Sequence, residues 1–532
     1  MTATMAAMNR LGDPVAASFL CGFGQKNGDA ARAMPQKEPR RVLRRRSKAP
    51  AQLAGVMVWA HVMLALFGIR TEALGADAPD QMNQPALGAV PDPPDPGANE
   101  SKLYKLAKEI LDRDTLTGDW FGYRAKLQDA GITFALLDQN EVWGNLSGGL
   151  RTGVVYDGLT TAALKLDLQK LFCWPDATFD ISALQIHGRG PTPNLTGNLQ
   201  LISNIEATRS TKLYDLWIEQ RLFSERLSIR IGQEGANDEL MLSQYASLFL
   251  NSSFGYPGLL AVDLPSGGPN YPLGAPFVRI KLQATPQFSL TAAVYTDDPA
   301  PPGSGDPQLR DKSGTAFRLN DGALWFGELA YSVNQDSNAK GLPATYKLGA
   351  LYTSSTFDDQ FYDDKGHPLA SPTSTGVPRT HSGGFAVYGV VDQMVWKEPG
   401  PNGGGIGLFF LGMGAPQSYN LCDLYFEGGM NWIGPFRGRE KDTFGFGAAY
   451  LQISPAKRQY GNSVIFYTGT GSQYSSNETV LEAFYICQLT PWLQLQPDAQ
   501  YVVNPGAGIP SDFSQTPLKN AFIIGIRSSI QF

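Results

Sequence analysis

The chain has 532 residues, 42% of them hydrophobic and only 17% charged, where about 25% charged is usual for a soluble protein. Its 58 glycines and 11% aromatics favour many short strands and turns over helical bundles. Beyond residue 76 it carries 32 Lys/Arg against 45 Asp/Glu, a formal charge of −13, which excludes the basic footprint that nucleic-acid binding needs.

The first segment, 1–76, contains "RRVLRRRSKAP", then "AQLAGVMVWAHVMLALFGI", then "RTEALGADAPD". A basic stretch, an apolar core and a small-x-small site (Ala73-Leu74-Gly75 or Leu74-Gly75-Ala76) read as a secretory signal peptide. The alternative is an uncleaved membrane helix, since the apolar run is near the lower limit for a span. The residues ahead of the basic run exceed what a leader needs, as a start codon placed too early would produce. Segment 77–112 begins as a linker in which Pro79, Pro85, Pro91, Pro93, Pro94 and Pro96 preclude regular hydrogen-bonded structure. "SKLYKLAKEIL" closes it, with Leu103, Leu106, Ile110 and Leu111 on one helical face. That spacing predicts a short amphipathic helix packed on the rim of whatever follows.

From about 116 the hydrophobic period changes from 3.6 to 2. "TAALKLDLQKL" sets Ala162, Leu164, Leu166 and Leu168 against Lys165 and Asp167. "LYDLWIEQRL" sets Tyr214, Leu216, Ile218 and Leu222 against Asp215, Trp217, Glu219 and Arg221. "RLSIRIGQE" sets Leu227, Ile229 and Ile231 against Ser228, Arg230 and Glu234, and "FVRIKLQ" alternates Val278, Ile280 and Leu282 with Arg279, Lys281 and Gln283. The rhythm returns at 288–296, 323–333, 345–354, 384–396, 422–433, 442–453, 478–489 and 519–532, with turn signals between. After the leader no stretch is apolar for long enough to be a membrane helix.

One face carrying charges and the other apolar to its ends suits a transmembrane antiparallel β-barrel with a wet lumen. Trp120, Phe121, Trp143, Trp174, Trp325, Phe326, Trp432 and Trp492 near segment ends suit interfacial girdles, and Phe532 closes the last strand as an outward aromatic. The all-β domain, 113–532, has room for 16 to 18 strands, and an even count points to 16. Two long irregular stretches are expected, 235–276 and 355–383. Tyr245, Phe249, Phe254 and Tyr256 in the first either fold inward to narrow a pore or pack on the rim.

Four ordered blocks resemble the carbohydrate-selective porins of the OprB type: "LTGDWFGYRAKLQDAGI" (116–132), "GNLSGGLRTGVVYDGLTTAALKLDLQKLF" (144–172), "LYDLWIEQRL…LSIRIGQE" (213–234) and "ETVLEAFYICQLTPWLQLQPDAQYVVNPG" (478–506). The resemblance implies a porin of the Gram-negative cell outer membrane that passes sugars, glucose-like monosaccharides above all. It also implies a narrow constriction lined by Arg, acidic and aromatic side chains. Departures are local, such as Cys in "FCW" (172–174) and "FYICQL" (484–489).

A sugar-selective pore needs donors and acceptors for hydroxyls, an aromatic face for the ring, and contacts weak enough to release the solute. Trp217, Glu219, Arg221, Arg230 and Glu234 supply these on adjacent strands, with Glu141 in "NEVWGN" and Arg189 in "HGRGPT" as further candidates. The competing reading of each is a structural ion pair that never meets solute. No cofactor, metal or catalytic residue is expected. Cys173, Cys422 and Cys487 lie far apart without zinc spacing, and no G-x-S-x-G accompanies His187, His367 and His381. Expected partners are sugars, outer-membrane lipid, and the barrel assembly machinery through the Phe532 strand, in a monomer or homotrimer. The alternative is a secreted or periplasmic carbohydrate-binding β-sandwich.

Overall fold

A computed structural model describes residues 102–532 except 337–338, 399–403 and 512–513. The leader and the Pro-rich part of the linker lie outside the described residues. Sixteen antiparallel strands form one closed barrel in which each pairs with its sequence neighbour and β1 pairs with β16. The strands are β1 (Ile132–Gly149), β2 (Gly153–Asp167), β3 (Ala177–Gly188), β4 (Ser210–Leu222), β5 (Leu227–Glu234), β6 (Ala275–Gln283), β7 (Phe288–Thr296), β8 (Ala323–Val333), β9 (Ala344–Asp363), β10 (Pro378–Lys397), β11 (Gly405–Gly414), β12 (Cys422–Ile433), β13 (Thr443–Ile453), β14 (Asn477–Thr490), β15 (Leu493–Val503) and β16 (Lys519–Gln531). Closure leaves no edge strand, so every wall backbone group can be satisfied inside hydrocarbon. It also removes the sandwich alternative.

The two-residue period sorts the side chains as the sequence requires. Val278, Ile280, Leu282, Phe522, Ile524 and Ile526 are exposed on the outer wall, while Arg279 and Arg527 are buried inside. Short turns (223–226, 284–287, 491–492) join strands at one end and long connections (189–209, 235–274, 297–322, 454–476) at the other. In such barrels the short-turn end is periplasmic. The predicted N-terminal helix is α1 (Lys102–Leu111), and Trp492 in a periplasmic turn donates to the carbonyl of Ile110 at 2.8 Å. Further along the chain α2 (Tyr123–Asp129) supplies Arg124, which donates to the Phe532 carbonyl at 2.8 Å. The Phe532 amide in turn donates to Leu136 at 2.9 Å, so the last residue is built into the closing seam.

Four details differ from the sequence reading. The stretch 355–383 is mostly strand, because β9 and β10 run 20 residues each and leave only 364–377 as a connection. Trp143 faces the lumen, fully buried, with its indole N–H donating to Glu141 at 2.7 Å, instead of standing in a girdle. Phe326 also points inward, while its neighbour Trp325 is exposed. Tyr214 is buried inside because the β3–β4 register shifts between Ile181 and Ala183. This bulge turns both Tyr214 and Asp215 inward, and Ser182 donates to Asp215 at 2.6 Å. Alternation alone cannot announce an extra residue.

Two long connections fold into the lumen. The 235–274 loop crosses to the far wall, where Phe249 stacks on Phe254 at 4.3 Å and meets Phe484 and Phe409 edge-on at 4.8 and 5.2 Å. The wall makes room with glycine. A Cβ on Gly407 would lie 2.2 Å from the Tyr245 ring, and one on Gly447 would lie 2.7 Å from Phe249. Inward carboxylates then take the loop's amides: Glu482 accepts from Leu250 and Asn251 at 2.6 and 3.0 Å, and Asp392 accepts from Gln244 at 2.9 Å. The 189–209 loop is held the same way, Glu478 accepting from Leu199 and Gln200 at 2.8 Å each. Charge-assisted bonds of this kind are roughly twice as strong as neutral ones, and they satisfy amides that would otherwise be stranded in the lumen.

Candidate constriction site in the lumen

The charged side of β4–β6 converges on one cluster. Glu219 on β4 accepts from Arg230 on β5 at 2.8 Å, from Arg279 on β6 at 2.8 Å and from Arg221 at 2.9 Å. Arg230 also donates to Glu234 at 2.8 Å, and its guanidinium lies 4.0 Å from the centroid of the Trp217 ring. The register explains the convergence, since Glu219 stands opposite Arg230 and Arg230 opposite Arg279 in one inward row across three strands. Five residues predicted for the site, Trp217, Glu219, Arg221, Arg230 and Glu234, are therefore brought together.

Glu239, from the inward loop, completes the cluster. It pairs with Arg279 at 2.6 Å, with Lys281 at 3.4 Å and with Arg230 at 3.6 Å. Burial would push its carboxyl upward, but Arg230, Arg279 and Lys281 outweigh that and hold it below the ordinary carboxylate value. Glu225 in the 223–226 turn lies 3.5 Å from Arg221, so four cations share four carboxylates. The cluster's members differ in access. The side chains of Arg279, Glu219 and Arg230 are 2, 7 and 9% exposed, whereas those of Arg221 and Lys281 are 34 and 40% exposed. The buried members fix geometry, and the exposed pair presents cationic donors to the lumen.

Glu141 and Arg189 lie elsewhere. Glu141 on β1 is fully buried and accepts from Arg527 on β16 at 2.6 Å. Arg527 also reaches Asn204 of the 189–209 loop, so this pair ties the barrel seam to that loop. Arg189 is exposed one residue past β3, its backbone N–H donating to Tyr156 at 2.7 Å. Sequence reasoning did not name Arg279, Lys281 and Glu239 as site residues. The alternation in "FVRIKLQ" marks the first two as inward, but nothing local signals that Glu239 folds back onto them. Among the described residues Cys173, Cys422 and Cys487 are free thiols, and no group of three or more His, Cys, Asp or Glu is arranged to hold a metal ion.

A closed sixteen-strand barrel with an apolar outer wall and a charged lumen narrowed by inward loops is the architecture of an outer-membrane porin. The sequence match narrows the class. The model of the carbohydrate-selective porin family OprB matches residues 151–532, and the chain belongs to that family. Porin B of Pseudomonas aeruginosa is 26% identical over 435 residues, covering 78% of this chain and 91% of its own. A putative porin, QuiX, of Acinetobacter baylyi is 24% identical over 446 residues, covering 79% and 94%. The solved high-pH structure of Pseudomonas putida OprB superposes with a TM-score of 0.69 at 25% identity, covering 79% of this chain and 99% of its own.

Proposed function

We propose that the protein conducts glucose-like monosaccharides by passive diffusion, and that the β4–β6 cluster with Trp217 is the selecting constriction. The observation that carries this reading is the sharing of four cations among four carboxylates beside an indole ring. Such a cluster is close to neutral overall, so it holds no single-sign charge to trap an ion. It still offers oriented N–H donors from Arg221 and Lys281 for sugar hydroxyls. Contacts of this kind bind weakly and release readily, as conduction requires. Nothing in the arrangement pairs a nucleophile with a base, and we read the chain as a channel, not an enzyme.

Liposome swelling with the detergent-extracted protein tests the reading, comparing glucose with an amino acid of similar size and with a disaccharide. Glucose should enter fastest, and Trp217→Ala or Arg221→Ala should reduce that preference while the barrel stays folded. Equal entry of all three solutes would reduce the protein to a general pore. Unaltered preference in both variants would move the constriction elsewhere in the lumen. The 113–532 domain boundary, assembly through the Phe532 strand and a monomeric or trimeric state remain parts of the proposal.

A further inference from the structure

The outer wall carries one feature that a uniform lipid-facing surface does not need. At the extracellular end of β3 and β4 an open recess of about 780 Å³ lies between the wall and the 297–322 connection. Its floor is Gln185, His187 and Thr211. These side chains point outward, because Leu184, Ile186 and Lys212 between them are buried inside the barrel. Its side wall is the segment 309–313.

That wall is built in, not draped over. The upper part of β4 has no β5 residue beside it, and 311–314 takes the vacant place. Leu213 donates to Ser313 at 2.9 Å, Lys212 donates to the Asp311 carbonyl at 3.0 Å, and Gln233 donates to the Gly314 carbonyl at 2.9 Å. Gly314 has φ +68°, and a Cβ there would lie 1.9 Å from the Leu213 carbonyl oxygen, so only glycine lets the segment seat. The floor is equally fixed. His187 shares hydrogen bonds of 2.9 Å with both Gln185 and the Tyr156 hydroxyl. Its ring occupies the space that a side chain at Gly158 would fill.

The charge in the recess is of one sign. Arg209 and Lys312 are exposed and form no ion pair among the described residues, and Arg310 adds a third cation tied back to Ser266 and Pro301. No carboxylate lines the recess. Asp306 is occupied by Thr208 at 2.6 Å and by the Gln308 amide at 2.8 Å, and Asp311 by the Thr315 amide at 3.2 Å. Leu309, 54% exposed, adds an apolar lip. Height matters as much as charge. His187 stands ten residues above Ala177 in β3, roughly 25 Å up a wall whose strands rise about 3.3 Å per residue and tilt about 40°. Counted from the foot of β3, an apolar band about 25 Å tall reaches that level.

We infer that this recess is a binding site for the phosphate-bearing headgroup of an outer-leaflet lipid, with Arg209 and Lys312 as its phosphate ligands and Leu309 against the first acyl carbons. Cations without partners, hydroxyl and amide donors and an apolar lip at the headgroup level match a phosphorylated lipid. Free inorganic phosphate has the charge but no use for the lip.

The test is native mass spectrometry of the full, detergent-solubilised protein titrated with bisphosphorylated lipid A, with the same lipid dephosphorylated, and with inorganic phosphate as competitor. Wild type should bind the bisphosphorylated lipid at least tenfold tighter than the dephosphorylated one, and millimolar phosphate should not displace it. Arg209→Ala/Lys312→Ala should lose tenfold or more in affinity while remaining a heat-modifiable barrel, and Lys365→Ala on another connection should bind as wild type. Equal affinity for the two lipids, or full affinity in the double variant, would overturn the assignment. So would an equal loss in Lys365→Ala, or displacement by inorganic phosphate, which would make this a free-anion site.

Discussion

The inward loop 235–274 is held at its two sides by different physics. Toward β4–β6 the hold is ionic, with Glu239 among Arg230, Arg279 and Lys281. Toward β11–β14 it is aromatic, with Phe249 between Phe254, Phe409 and Phe484 over a wall cleared by Gly447. The ionic side keeps exposed charges in water, where a solute can exchange contacts with them. The aromatic side excludes water and gives up access for rigidity, since interiors packed this closely resist displacement. The narrowing thus pairs one wet, adaptable side with one closely packed side.

The largest expected effect comes from breaking the ionic side at its centre. Glu219→Ala leaves three guanidinium groups without their shared carboxylate, and removing one partner of a buried pair costs about 3–5 kcal/mol. The midpoint of heat-modifiable unfolding on a gel should fall strongly, and Glu219→Gln should recover part of the loss. Next comes the aromatic side. Phe249→Ala removes a buried ring from three aromatic contacts, about 3 kcal/mol at the low end for such truncations. Its signature should differ, because the strand pairing that closes the wall does not pass through the loop: single-channel conductance should rise while the protein remains a heat-modifiable barrel.

The second inward loop sharpens the contrast through pH. Glu206 accepts from the Thr192 amide at 2.9 Å. Burial raises its carboxyl to about 7, against the bonds from Thr192 and Ser203 that lower it. Between pH 4.5 and 7 the folded chain keeps a proton that the unfolded chain has released, so stability falls as pH rises through that window. With one pKa unit worth about 1.4 kcal/mol, the loss is at most about 3.5 kcal/mol. Unfolding midpoints measured from pH 4.5 to 8 should decline in wild type, and Glu206→Gln should flatten the decline. The smallest effect is expected at the exposed edge of the cluster. Lys281→Ala should cost under about 1 kcal/mol, as screened pairs do, yet lower the preference for glucose in a swelling assay.

The same comparison shows what a linear sequence discloses. The ionic side was legible because it is built from strands: period-2 alternation in 213–234 and 277–283 sorts Glu219, Arg230 and Arg279 inward, and register does the rest. The aromatic side was legible only as a choice between folding inward and packing on the rim. What decides it is a set of strand carboxylates, Glu482 and Asp392, that find loop amides more than a hundred residues away. An inward acid on a strand has the same sequence appearance whether it meets water, an arginine or a backbone N–H. Trp143 and Tyr214 were misplaced for related reasons, one by an unseen polar partner and the other by a bulge. Glu141 stands out in the sequence only by its charge, and its role at the seam depends on Arg527, the length of the barrel away in sequence.

The most direct measurement is the single-channel conductance of Phe249→Ala/Glu482→Gln beside wild type, both verified as heat-modifiable barrels. The double variant removes the aromatic wedge and the carboxylate that receives the Leu250 and Asn251 amides. If the pinned loop sets the passage, conductance should rise severalfold and the distinction between glucose and a disaccharide should shrink. Conductance and selectivity unchanged in a folded double variant would contradict the account.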